Sequence, residues 1–354
     1  MKKVVITGIL GQDGANMAEY LLLRCNINCK VYGMMRRSAN PNFVNTKKFQ
    51  RHPNFEIIYG DLSDEVSIDK IVKDIQPDYF INFAANSFVG CSWDMPLQVM
   101  EVNAIGVLRC LESIRKFKQD CRFYSAGSSE EWGDVDYSPQ DIEHKIKPRS
   151  PYGASKAAAR HLVKVYRESH GLYAVHGILF NHEGTKRGEE FVTRKITKNV
   201  ARLKRSLNAH LESGYQSSIS PMELGNLDAK RDWSDSEDFV EGVWLMMNQD
   251  SPKDYILSSG ETHSIREFVE KAFTFAEING EWKGEGLDEE FGIYIKSNWI
   301  TLLKINKEFF RPAEVDLLLG DSTPIRQELG WEPKVSFDKL VQKMVDYDLN
   351  EGRV

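Results

Sequence analysis

Tyr152 and Lys156 stand four residues apart within Pro148-Arg149-Ser150-Pro151-Tyr152-Gly153-Ala154-Ser155-Lys156, and on a helix that spacing puts both side chains on one face. A phenol ionises near pH 10, too high for a base at neutrality, but an adjacent ammonium favours the phenolate and draws its pKa down. Such a pair can take a proton from a hydroxyl. A short way upstream, Ser128-Ser129-Glu130 offers a hydroxyl to hydrogen-bond an oxygen and a carboxylate to move a second proton. Taken singly, each has a plainer reading as a half-buried tyrosine, a solvated lysine or a capped turn. The surrounding elements decide between the two.

Few helix breakers interrupt Tyr152 to His170, so a helix is expected to carry the Tyr-x-x-x-Lys pair. Arg122-Phe123-Tyr124-Ser125-Ala126 reads as a strand that ends at Gly127 and delivers Ser128 and Glu130. At the other end of the chain, the β-branched run Val4-Val5-Ile6 leads into Thr7-Gly8-Ile9-Leu10-Gly11-Gln12-Asp13-Gly14 and then an apolar helical stretch. Strand, glycine turn and helix in this order let Gly8, Gly11 and Gly14, with Gln12 and Asp13 between them, approach a pyrophosphate at a helix N-terminus. The second strand, Lys30 to Met34, is followed by Arg36 and Arg37 where an acidic residue would select a ribose hydroxyl. Arginines suit a 2′-phosphate, so NADP is expected over NAD. Asp61, with Leu62, follows the strand Phe55 to Ile58 and can accept from an adenine amine, while Ser63 or Asp64 reads as a helix cap. Tyr79 to Ala85 reads as a fourth strand whose small Ala84 and Ala85 admit a cofactor, with Asn86 and Ser87 supplying polar groups.

Strands alternating with helical stretches such as Val102 to Phe117 predict an α/β fold, a doubly wound parallel sheet with ligands at the carboxyl ends of its strands. The chain has 354 residues, 41% hydrophobic and 28% charged, which suffices for a large core and excludes long disorder. A net charge of −6 argues against general nucleic-acid binding. No apolar run reaches membrane-spanning length, so a cytoplasmic protein is expected. Five scattered cysteines show neither a disulfide framework nor metal-ligand spacing, and no metal site is expected.

Glycine loop, Gly60-Asp61-Leu62, Ala84-Ala85, a strand-end Ser-Ser-Glu and Tyr-x-x-x-Lys together resemble the extended short-chain dehydrogenase/reductase (Rossmann) type. Within it, Gly11-Gln12-Asp13-Gly14, Arg36-Arg37-Ser38, Pro148 to Gly153, Gly177-Ile178-Leu179-Phe180-Asn181-His182-Glu183, Phe191 to Ile196, Leu224 to Trp233 and Arg311 to Asp316 are similar to the GDP-mannose 4,6-dehydratase family. That resemblance implies oxidation at C4 of a GDP-hexose, removal of the C5 proton, loss of the C6 hydroxyl as water and return of the hydride to C6, with NADP regenerated. It implies that Ser128, Glu130, Tyr152 and Lys156 are catalytic. Tyr152 would serve as base at C4, Lys156 would lower its pKa, Glu130 would act at C5 and C6, and Ser128, where threonine is usual, would bond the C4 oxygen. His182 and Arg187 fall at positions that contact the cofactor; a plain core histidine is the alternative for His182. Ser87, Asn181, Lys195, Arg231, Arg311 and Glu314 would help hold the nucleotide sugar.

The resemblance further implies a Rossmann domain over residues 1–180, rejoined by segments near 225–260, and a smaller discontinuous substrate domain over most of 181–354. The loop Ser38 to Thr46 resembles one that reaches a neighbouring subunit, which implies a homotetramer or homodimer. Departures from the family pattern at Asn86, Phe88, Glu131 and Gly184-Thr185-Lys186-Arg187-Gly188 leave the hexose open, with a GDP-heptose as alternative. A reductase or epimerase on the same scaffold is a second reading and a non-catalytic dinucleotide sensor a third. Glu131 is expected to point away from Glu130 if the segment stays extended. Glu212 to Pro221 and Asn279 to Ser297 read as surface excursions, and Val335 to Asn350 as a closing helix.

Overall fold

A computed structural model describes residues 1–25, 27–213, 219–310 and 317–350. The chain divides into two compact units, the first formed by Met1–His182, Asp232–Glu261 and Leu318–Lys334.

The first unit is built on seven strands. β1 (Lys2–Thr7), β2 (Cys29–Met35), β3 (Phe55–Tyr59), β4 (Tyr79–Asn82), β5 (Arg122–Ala126) and β6 (Ala174–Leu179) are joined by Tyr255–Leu257. Their spatial order is Tyr255–Leu257, β6, β5, β4, β1, β2, β3, and every pairing is parallel. The order reverses between β1 and β4, the place at which sheets of this kind take their ligands, beyond the carboxyl ends of the strands.

Period-two alternation sends successive side chains to opposite faces. Val4 and Ile6 join a core with Met17, Ala18, Val240 and Val243, whereas Val5 joins Ile68, Leu111, Ile114 and Val163 on the other side. Both faces of the sheet are covered by helices, which explains why the strands read as near-continuous apolar runs. The helices are α1 (Gln12–Glu19), α2 (Glu65–Ile75), α3 (Pro96–Met100), which continues through a π-helical turn (Glu101–Ile105) into α4 (Gly106–Phe117), α5 (Pro151–His170) and, from the later stretches, Ser236–Met247 and the short Thr323–Leu329.

The fourth strand is shorter than expected, ending at Asn82 rather than Ala85. Thr7 Oγ1 donates to Asn82 Oδ1 at 2.6 Å and accepts from the Ala84 amide at 2.9 Å, so a side chain takes the bond the ladder would have used. The later segments are bound in by hydrogen bonds. The Asp232 carboxylate accepts from Ser259 N (2.7 Å), Ser259 Oγ (2.6 Å), Gly260 N (3.0 Å) and Gly320 N (3.4 Å). Trp331, 3% exposed, donates its indole N–H to the Asp238 carbonyl at 2.8 Å.

The second unit comprises Glu183–Arg231, Thr262–Leu317 and the chain from Val335 onward. It holds the helices Val192–Ser213, Ile265–Phe275 and Phe337–Asn350. Asn279 to Ser297 is not the loop its composition suggested: Glu281–Lys283, Glu290–Ile295 and Asn298–Ile305 form consecutive antiparallel strands. Their aromatic side chains pack across the ladder, with Trp282 and Phe291 5.2 Å apart between centroids, a contact that composition does not reveal. Within Glu212 to Pro221, Glu212 and Ser213 close a helix, residues 214–218 lie outside the described residues, and Ser220 is exposed. Among the described residues no helix is long and apolar enough to cross a membrane.

Candidate active site

The helix carrying Tyr152 and Lys156 starts and stops on local chemistry. Ser150 caps it by accepting the Gly153 amide at 3.0 Å, Pro151 opens the first turn and Gly171, at φ +65°, ends it in the left-handed conformation. Tyr152 and Lys156 are 8% and 5% exposed. Lys156 Nζ lies 5.8 Å from the Tyr152 ring centroid and donates to the Ala126 carbonyl, the last residue of β5, at 2.7 Å. Burial pulls the Lys156 pKa down to about 8, against the carboxylates of Glu131 and Asp13, which raise it. An ammonium thus poised can be gained and lost near neutrality.

Immediately after β5 the chain makes a single 3₁₀ turn over Ser129–Glu131. Ser128 Oγ accepts from the Glu130 amide at 3.3 Å, which leaves its own proton available to donate. Glu130 is partly exposed, whereas Glu131 is fully buried. The extended alternation expected of this segment fails because the backbone turns, and Glu131 is drawn inward to accept the Ser128 amide at 2.9 Å. The turn and the helix touch directly: a Cβ on Gly153 would meet the carbonyl oxygen of Glu130, with Pro148 Cβ 3.1 Å away.

The glycine loop is equally close-built. Gly8 has φ +68°, and a Cβ there would lie 3.0 Å from the Ala84 nitrogen; a Cβ on Gly14 would lie 2.8 Å from the Gly8 carbonyl carbon. Gly11 caps α1, whose amides are left facing the turn. Gln12, Asp13 and His182 engage one another: Gln12 Nε2 donates to the His182 carbonyl at 3.0 Å, and His182 Nε2 faces Asp13 Oδ2 at 3.0 Å. His182 Nδ1 faces the Phe180 carbonyl at 2.7 Å, and the ring stacks on Phe239.

Arg36 and Arg37 follow β2 and are exposed. Asp61 sits after β3, its Oδ1 accepting from Ser63 N (2.9 Å) and Ser63 Oγ (2.7 Å). Burial pushes its carboxyl up, but the Ser63 bonds together with Arg36 and Arg109 outweigh burial and leave it below the usual range. Leu62 is buried, Ala84 and Ala85 are half-buried, and Ser87 is exposed. Asn181 Oδ1 is buried without a hydrogen-bond partner, the state of a carbonyl oxygen that a ligand donor would satisfy.

Asn103 belongs with these residues and escaped the sequence reading. It accepts from Asn86 N at 2.8 Å and donates to Asn86 O at 3.2 Å and to Ser155 Oγ at 3.1 Å, while Ser155 donates to the Tyr152 carbonyl at 2.7 Å. One buried amide thereby joins the loop after β4 to the helix of Tyr152. The available signal was an asparagine inside an otherwise apolar helical stretch.

In the second unit Arg187 pairs with Glu183 at 3.1 Å and stacks 3.5 Å above the Phe191 ring. Lys195 Nζ lies 3.7 Å from the Phe309 centroid, and burial lowers its pKa against the opposing Glu223. Arg231 is 7% exposed and donates to the Lys230 carbonyl. Arg311 and Glu314 lie outside the described residues.

A family profile described as GDP-mannose 4,6 dehydratase matches residues 5–344. The chain is 41% identical over 356 residues to a GDP-mannose 4,6 dehydratase of Drosophila melanogaster, covering 98% of this chain and 86% of that protein. It is 39% identical over 353 residues to that of Homo sapiens (98% and 91%) and 38% identical over 369 residues to that of Vibrio cholerae (99% and 95%). Among solved structures it resembles a dTDP-glucose 4,6-dehydratase from Streptomyces venezuelae with NAD and TYD bound, at TM-score 0.79 and 19% identity, covering 99% of this chain and 98% of that one. It also resembles RMD from Pseudomonas aeruginosa complexed with NADPH, at TM-score 0.75 and 19% identity, covering 99% and 100%. At such identities the structures speak for the extended short-chain dehydrogenase/reductase fold.

Proposed function

The chain belongs to the GDP-mannose 4,6-dehydratase family, and from that premise we propose that it is an NADP-dependent hydro-lyase converting GDP-mannose to GDP-4-keto-6-deoxymannose. The observation that supports the reading is the contact of Gly153 with the Glu130 carbonyl, which brings the turn bearing Glu130 against the helix of Tyr152 and Lys156. A reductase or epimerase has no use for a carboxylate there, and a dehydratase must have one.

The residues fit a dinucleotide. Gly8 and Gly14 let the loop fold tightly back on itself and on Ala84 ahead of α1, whose N-terminus would take a pyrophosphate. Arg36 and Arg37 would take the 2′-phosphate, Asp61 and Leu62 the adenine, Ala84, Ala85 and Ser87 the middle of the cofactor, and Tyr152, Lys156 and His182 the nicotinamide end. Once bound, the nicotinamide supplies reversible hydride acceptance.

The chain's own residues would do the proton work. Tyr152, as phenolate beside the Lys156 ammonium, removes the C4 hydroxyl proton. Ser128 donates to the C4 oxygen as its charge changes, having its proton free. Glu130 takes the C5 proton, made acidic by the C4 ketone, and returns a proton to the C6 hydroxyl as it departs as water. Asn181, Lys195, Arg231, Arg311 and Glu314 hold the nucleotide diphosphate and its ribose. The enzyme works in the cytoplasm as a homotetramer or homodimer, with the loop Ser38 to Thr46, exposed over Ser38 to Asn40, at the subunit contact.

Incubating purified protein with GDP-mannose and catalytic NADP tests this. A product lighter by one water, without net NADPH, is expected. If GDP-mannose is untouched while a GDP-heptose loses water, the sugar assignment falls; if NADPH accumulates without water loss, the dehydratase assignment falls.

A further inference from the structure

Glu131 and His176 are both fully buried beneath the Ser128–Glu130 turn, and neither has a role in the mechanism above. Glu131 Oε1 accepts the Ser128 amide at 2.9 Å and faces His176 Nε2 at 2.9 Å. A carboxylate oxygen accepts, so Nε2 carries the hydrogen. A Cβ on Gly127 would lie 2.7 Å from that same Oε1, so only glycine leaves the pair room. Glu131 Oε2 has no hydrogen-bond partner and lies 3.9 Å from Arg160 Nη1, which has none either; His176 Nδ1 is likewise bare. Leaving buried polar groups incompletely satisfied destabilises a fold. A cluster so costly to the fold calls for another reason to be there.

Its position supplies one. Burial opposes the Glu131 charge, but the His176 ring, the Arg160 guanidinium and the Ser128 amide outweigh burial and leave its carboxyl below the usual range, ionised at neutrality. The titratable and charged groups around it are His176 on β6, Tyr124 on β5, and Arg160 and Lys156 on α5. The backbone fixes Lys156 close by: its Nζ donates to the Ala126 carbonyl at 2.7 Å, and the next residue, Gly127, is the one against which Glu131 Oε1 closes. Asp13 is the other carboxylate acting on Lys156. We propose that Glu131 is a positioning residue for the reaction: it fixes the turn that presents Ser128 and Glu130 and sets its negative charge on the side of that turn where Lys156 is held.

This rests on the dehydratase reading and separates from it experimentally. In the full chain, E131Q keeps the shape of Glu131 and removes its charge, whereas H176N removes the ring and keeps that charge. E131Q is expected to lower kcat about 10-fold with KM changed by less than about twofold, and to move the alkaline limb of kcat down by about one pH unit. The pH dependence of NADPH binding, followed by cofactor fluorescence without substrate, is expected to move with it. H176N is expected to lower Tm while leaving both limbs in place. Unmoved limbs in a folded E131Q, or equal shifts in both variants, would overturn the proposal. If E131Q does not fold, E131D retains the charge: limbs in place with reduced kcat sustain the proposal, and displaced limbs overturn it. A wild-type protein inactive on GDP-mannose whose NADPH limb still moves in E131Q defeats the dehydratase reading and sustains this one.

Discussion

The alpha carbon of Gly153 and the carbonyl oxygen of Glu130 approach so closely that no side chain fits between them. Two elements far apart in function, a helix that carries a phenol and a turn that carries a carboxylate, are thereby held at backbone contact. G153A is expected to push the helix off the turn, lowering kcat at least 10-fold and stability by about 1–3 kcal/mol. Thermal denaturation and steady-state kinetics on the same preparation check both numbers.

Separate proton tasks predict separable losses. E130Q is expected to abolish water loss, by about 10²–10⁴-fold, while a trace of C4 oxidation survives as NADPH absorbance in a single turnover. Y152F is expected to suppress both. Full dehydration by E130Q would remove Glu130 from its assigned role.

Arg36 and Arg37 stand after β2 with Arg36 close enough to influence Asp61. R36A is expected to raise the Kd for NADP by about 10-fold or more, the worth of a charge-assisted hydrogen bond, and to change the Kd for NAD little. Equal losses for the two cofactors would mean that no 2′-phosphate is held there.

Lys156 links activity and stability to pH with opposite signs. Its pKa is depressed by burial from the ordinary 10.5 to about 8, so between these values the unfolded chain binds more protons than the folded one and stability rises with pH. The gain across that window is on the order of 3 kcal/mol, and below pH 8 it is absent. Activity should fall over the same window as the ammonium is lost. K156M is expected to abolish activity and to flatten the rise of unfolding free energy between pH 8 and pH 10, which urea denaturation at several pH values would reveal.

N103A cuts the bonds to Asn86 and Ser155. We expect kcat to drop about 10-fold or more with cofactor still bound, because the Tyr152 helix would lose its register against the loop after β4.

Much of this was written in local sequence. Ser150, Pro151 and Gly171 announce a helix over Pro151–His170, and β-branched runs with glycine after them announce the parallel sheet. Long-range partners were not. That Glu131 would turn toward His176 could not be read from alternation, since a turn abolishes the period on which alternation rests. Asn103 meets Ser155 across 52 positions, a contact set by how the π-helical turn between α3 and α4 packs on α5. The strands within Asn279 to Ser297 hide behind glycine and glutamate because their cohesion lies in cross-strand aromatic pairs.

The first unit is assembled from three separated stretches of chain, with Asp232 and Trp331 among the groups that bind the later ones to it. During synthesis the glycine loop and the Tyr152 helix leave the ribosome long before Trp331 does. Until then Asp238 lacks its indole donor and the apolar face of Ser236–Met247 lacks one of its covers. The nascent protein must therefore wait until Trp331 has been made before its dinucleotide fold can close, and chaperones have that interval in which to act.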